Sequence, residues 1–73
     1  MQVFVFRSRK DDFIVGFTTR RGGGNLPEEF APWALLNKMA MMPNTDVAGV
    51  SVGSDAILAG IQQDGFVVAR SKI

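Results

Sequence analysis

The stretch with the most chemical promise is Arg20-Arg21-Gly22-Gly23-Gly24-Asn25, two cations ahead of three glycines and a helix-capping residue type. Backbone N–H groups in a glycine-rich turn, a following helix start and two guanidinium groups are the parts of an anion cradle. The details are those of a different object. A phosphate-binding P-loop closes on Gly-Lys-Ser/Thr and opens straight onto a helix; here Pro27 has no N–H to offer, and Glu28 and Glu29 repel phosphate from the helix end. The competing reading is a flexible joint between a strand and a helix, the glycines supplying backbone freedom.

Other basic residues widen the question. Residues 1–21 hold five basic and two acidic side chains, residues 22–64 one basic and five acidic, and Arg70 and Lys72 follow. If the strands before Arg20 and Arg70 lie parallel on either side of a common neighbour, Arg20, Arg21, Arg70 and Lys72 gather at one end of a sheet as a weak contact for phosphate or RNA. Arg7, Arg9 and Lys10 then form the opposite pole. Sequence-specific or stacking recognition needs exposed aromatic side chains or a groove-reading element. All six phenylalanines fall in apolar alternation and read as core.

Catalysis has few parts to work with. The chain has no His, Cys or Tyr, and so lacks the usual general base, thiolate and phenolic acid. Asp11–Asp12 and Glu28–Glu29 are adjacent in sequence, so their side chains diverge rather than form a dyad or a compact metal site. The expectation is a protein that is not an enzyme and takes no cofactor or metal. A further cluster consists of Trp33, Met39, Met41 and Met42. Methionine beside tryptophan suits an adaptable protein-binding surface, although both are also ordinary core fillers. Met41 and Met42, adjacent before Pro43, cannot both point inward, so Trp33, Met41 and Met42 mark the candidate protein interface.

The elements that must carry these residues follow from periodicity. Residues 2–7, QVFVFR, are apolar on both faces, as in an interior strand. Residues 13–19, FIVGFTT, alternate a large face (Phe13, Val15, Phe17) with a small one, as in a half-buried outer strand, and the turn at 8–12 makes the two a hairpin. Pro27, Glu28 and Glu29 predict a short helical turn over 27–31 with Asn25 near its cap. Pro32 interrupts it, and Trp33, Leu36 and Ala40 with Leu35 and Met39 predict a second helix from Pro32 to about Met41. Residues 44–53 read either as loop or as a short extended piece. Ser54 caps a clear helix through Asp64, with Gly65 as left-handed stop and Ile57, Leu58 and Ile61 facing the core. Residues 66–73 form the last strand.

One α+β domain follows: a β-β-α-α-β two-layer sandwich, a three-stranded antiparallel sheet of order 2-1-3 with helices on one face. The 73 residues, 47% hydrophobic and 21% charged, suit one small folded domain. The absence of cysteine favours a reducing cytoplasm. The amino-terminal layout is wrong for a signal peptide, and no apolar run approaches the roughly 20 residues of a membrane span.

The ordered pieces FRSRKDD, LPEEF, KMAMMP and IQQDGFVV resemble the YcgL family of small bacterial proteins over nearly the whole chain. The triple glycine and the lack of tyrosine depart from it. The resemblance implies a two-layer fold with a three-stranded antiparallel sheet beside helices, and no catalytic or binding motif comes with it. The functional expectation is a small non-enzymatic interaction module of a bacterial cytoplasm. Its partner is another protein, with a membrane excluded, and the chain itself is a monomer or a weak homodimer. The alternative is a weak, nonspecific RNA or phosphate binder using the basic strand ends.

Overall fold

Gln2–Ser8 (β1) and Ile14–Thr18 (β2) form the expected antiparallel hairpin in the computed structural model, which describes residues 2–42 and 53–71. The turn is built by Ser8 and Asp11. The Ser8 hydroxyl accepts the N–H groups of Lys10 (3.1 Å) and Asp11 (3.2 Å) and donates to the Phe30 carbonyl. Asp11 Oδ1 accepts the Phe13 N–H at 3.0 Å, and the Asp11 carbonyl accepts that of Ile14 at 3.0 Å, an Asx-type reversal.

Two further strands flank the hairpin. Trp33–Ala40 (β3) pairs antiparallel with β1, and Phe66–Arg70 (β4) pairs antiparallel with β2, giving a four-stranded sheet of order β3-β1-β2-β4. Among the described residues one α-helix, Ser54–Asp64 (α1), completes an α+β fold. The predicted three-stranded sheet of order 2-1-3 is therefore corrected in two ways. The segment predicted as a second helix is the edge strand β3, and the last strand lies beside β2 rather than β1. β1 is interior as expected, but so is β2. The predicted turn over 27–31 is one 3-10 turn, Glu28–Phe30.

Tertiary pairing overrides local preference in β3. Ala34, Leu35, Leu36, Lys38, Met39 and Ala40 are good helix formers, and no β-branched residue is among them. What decides is β1, apolar on both faces and open along one edge until β3 pairs with it, since strand preference depends on neighbours more than on the residue. Pro32 helps at the start by holding Ala31 in an extended conformation (φ −68°, ψ 155°). The register slips between Val5 and Phe6, leaving Leu36 without an opposite number as a β-bulge.

The two faces of the sheet are covered differently. On one, Val3 and Val5 from β1, Val15 and Phe17 from β2 and Ala69 from β4 pack with Ile57 and Ile61 of α1 and with Met41. Leu58 and Met39 sit at the margin of this core, in keeping with the expected inward face of the helix. Gly65, at φ 87°, ends α1 as predicted, its N–H donating to the Ile61 carbonyl at 2.8 Å. Gly53 rather than Ser54 occupies the N-cap position, and Ser54 is buried.

The opposite face is closed by the glycine-rich connection between β2 and β3. Leu26 is inserted beneath Trp33 and over Gly16, where an added Cβ would lie 2.9 Å from Leu26 Cδ2 and 3.1 Å from Trp33 Cζ3. Gly23 approaches the Phe6 ring, and both Phe6 and Leu26 are buried. A polar knot ties this cover to the far side: the Thr18 hydroxyl donates to Asn25 Oδ1 (2.8 Å), and Asn25 Nδ2 donates to the Gly65 carbonyl (2.8 Å). Residues 43–52, including nearly all of the ambiguous 44–53 stretch, lie outside the described residues.

Candidate functional site

Part of the donor set that an anion cradle would need is already engaged within the Gly22–Gly24 connection. The Gly23 N–H donates to the Arg20 carbonyl and the Leu26 N–H to the Gly23 carbonyl, both at 3.1 Å, so these two donors are consumed in successive turns. Gly23 is the only one of the three glycines at positive φ, 67°. Asn25 caps no helix; it holds the loop against the end of α1 through Gly65. The segment's job is to carry Leu26 onto the sheet.

Strand order also separates the predicted cation cluster. Arg20 and Arg21 follow Thr18, whose partner is Phe66, whereas Arg70 opposes Ile14 at the other end of β2, about 14 Å away along the strand. Arg70 therefore joins the pole of Arg7, Arg9 and Lys10, where its guanidinium lies 5.9 Å from the centre of the Phe13 ring, in cation–π range. The expected gathering of Arg20, Arg21, Arg70 and Lys72 is thus corrected, because it required β4 beside β1. Lys72 lies outside the described residues.

The proposed interface residues are also dispersed. Trp33 is half-buried at the start of β3, its indole N–H donating to the Pro27 carbonyl at 3.0 Å and its ring edge-on to Phe30. Met41 is 2% exposed and belongs to the core, while Met42 is 61% exposed, so one of the adjacent pair does face outward. Met42 has company that the helical reading concealed. Leu35 is 57% and Leu36 48% exposed on β3, and among the described residues only Phe13 is a further exposed large hydrophobic residue. Among the described residues this eight-residue strand is paired only by β1, so its outer edge lies beside these three side chains.

Grooves among the described residues include two near β3. One, of about 570 Å³, is lined by Gln2, Phe4, Arg21, Leu35 and Lys38. The other, of about 320 Å³, lies at the opposite pole between Arg7, Ser8, Arg9, Asp12, Ala34 and Leu36. Pairing of Phe4 with Lys38 across β1 and β3 puts an aromatic ring and a cation side by side on one face. Sequence reading found no aromatic residue interleaved with the cations. The signal that was missed is the strand character of 33–40, without which Lys38 has no fixed neighbour. Among the described residues no group of three or more His, Cys, Asp or Glu side chains is placed to hold a metal ion. Nor is any helix among them long and apolar enough to cross a membrane.

No family model, curated protein or solved structure matches this chain.

Proposed function

We propose that the protein is a small non-enzymatic interaction module that binds another protein by accepting an extended segment of it as an added strand on β3. The observation that carries this reading is the exposure of Leu35, Leu36 and Met42 along or just beyond an eight-residue edge that no other strand among the described residues pairs with. Main-chain groups on such an edge supply affinity, and alternate side chains supply selectivity. The candidate interface moves accordingly, from Trp33, Met41 and Met42 on a helical layer to Leu35, Leu36 and Met42 on a strand edge. Lys38 and the bulge at Leu36 are devices that discourage indiscriminate edge pairing. They favour a partner segment with apolar residues and a carboxylate opposite Lys38, and leave self-association weak at most: a monomer or weak homodimer. The ordered motifs shared with the YcgL family and the cysteine-free composition support placing the chain in that family and in a bacterial cytoplasm.

A photo-crosslinking residue at position 36, compared with one at exposed position 64 on the helix, tests the proposal in extract of the native host. Capture specific to position 36, abolished in the same chain by Met42→Asp and accompanied by slowed amide exchange in β3, supports it. Equal capture from both positions, or capture unaffected by Met42→Asp, refutes it.

A further inference from the structure

The groove lined by Gln2, Phe4, Arg21, Leu35 and Lys38 joins features that no single structural role explains. Its two cations arrive from different elements, Arg21 from the glycine-rich connection and Lys38 from β3. Among the described residues no carboxylate reaches either one, and none lines the groove. Between them stand a half-buried aromatic ring, Phe4, and the exposed Leu35. Phe6, two residues along the same strand face, is buried beneath Leu26, whereas the loop that covers it stops short of Phe4.

We infer that this groove binds a nucleotide, its phosphate held between Arg21 and Lys38 and its base laid against Phe4 and Leu35. A guanidinium and an ammonium converging on one space are phosphate ligands. An aromatic side chain on a sheet surface is a stacking platform for any base. The Gln2 amide, a donor and an acceptor at the rim, can meet a base or sugar edge. The volume, about 570 Å³, falls within the range of small-molecule sites, about 300–1,000 Å³. Inorganic phosphate alone would leave the apolar wall of Phe4 and Leu35 uncovered, and an acidic peptide would gain nothing from a stacking surface. The nucleotide is either free or part of a single RNA strand. This inference does not rest on the strand-addition reading, although Leu35 and Lys38 enter both, since it uses a face of the sheet rather than main-chain pairing along the outer edge of β3.

The test is a titration of the full chain, followed by amide and aromatic NMR shifts, with adenosine 5′-monophosphate, adenosine, inorganic phosphate and an eight-nucleotide adenosine RNA. Adenosine monophosphate should bind with a dissociation constant below about 1 mM, moving the Phe4 ring signals and the amides of Gln2, Arg21, Leu35 and Lys38. Arg21→Gln and Lys38→Gln should each weaken it about tenfold or more, and Phe4→Leu at least about fivefold, while Arg70→Gln at the opposite pole leaves it unchanged. RNA binding at least about tenfold tighter than the monophosphate, with a steep salt dependence, assigns the strand as the source; equal affinity assigns the free nucleotide. Inorganic phosphate binding as well as the monophosphate overturns the inference, as does displacement by an acidic peptide of equal charge. So does the absence of saturable shifts at the groove in a protein whose spectrum shows it folded.

Discussion

Replacing Gly60 by alanine puts the packing of α1 on the sheet to a quantitative test. A Cβ at Gly60 would sit 2.4 Å from Val67 Cγ2 on β4 and 3.7 Å from Val67 Cβ. Carbon atoms prefer a separation of about 3.5–4.0 Å, so the methyl requires the helix or the valine to yield by more than about 1 Å. Overpacking of this kind costs about 1–3 kcal/mol. The same substitution inside a helix gains about 1 kcal/mol in intrinsic preference, leaving a net loss of about 0–2 kcal/mol. Val67→Ala removes the offending methyl and keeps the ordinary contacts, at 3.7 Å to Val67 Cβ and 4.0 Å to the Phe66 carbonyl oxygen. In that background the steric cost vanishes and Gly60→Ala should stabilise by about 1 kcal/mol. The sign of the effect therefore reverses, and the coupling between the two positions should be about 1–3 kcal/mol, well outside the additivity of independent sites. Urea unfolding of the four proteins measures this directly, since a chain of this size shifts its midpoint by about 1 M for each 1 kcal/mol or so. A Gly60→Ala effect of the same sign and size in both backgrounds would refute the placement of α1 against β4.

Six further substitutions examine the second face and the core. Gly23→Ala should cost about 1–3 kcal/mol, since Gly23 is at φ 67° with the Phe6 ring 3.0 Å from its would-be Cβ. Gly22→Ala and Gly24→Ala meet open space and should be neutral or slightly stabilising in thermal melts. Met41→Ala should lose about 2–5 kcal/mol while Met42→Ala stays within about 0.5 kcal/mol; similar losses at both positions by chemical denaturation would refute the burial difference. Asn25→Ala, which removes a partner from both the Thr18 hydroxyl and the Gly65 carbonyl, should cost about 1–3 kcal/mol in the same assay, and a neutral result would mean that the direct Thr18 hydroxyl to Gly65 carbonyl contact, at 3.3 Å, or water replaces the amide.

The legible elements were those whose pattern and setting agree. β1 was readable as interior because Val3, Val5, Phe4 and Phe6 leave it no polar face. α1 was readable from Ile57 and Ile61 and from the glycine that stops it. Residues 33–40 were illegible because their composition favours a helix, and the competing influence, the open edge of β1, is a property of the assembled sheet. The misplacement of β4 followed from counting only three strands, which left β2 without a second neighbour. Both errors carried into the site. With 33–40 helical, Lys38 and Leu35 could not be set beside Phe4, and with β4 beside β1, Arg70 was brought to the wrong end. The glycine run was a mixed case: it does carry the chain away from β2, but to a 3-10 turn and the strand β3 rather than to a helical layer, and it delivers Leu26 over Gly16.

The strand order also has a kinetic consequence. The sheet's two interior strands are consecutive in sequence and joined by only five residues, 9–13, so their pairing closes a short loop at small entropic cost. Every later step can then add a strand to an edge that already exists: β3 from the next segment of chain to one flank, and α1 with β4 from the last segment to the other. Such growth outward from a central hairpin places the rate-limiting ensemble at the turn of Ser8 and Asp11 rather than at either flank. Substitutions in that turn should slow folding, and those in β3 should chiefly speed unfolding. The strand proposed to receive a partner would then be among the last to join and the first to leave, a segment able to exchange its surroundings while the centre of the sheet stays intact.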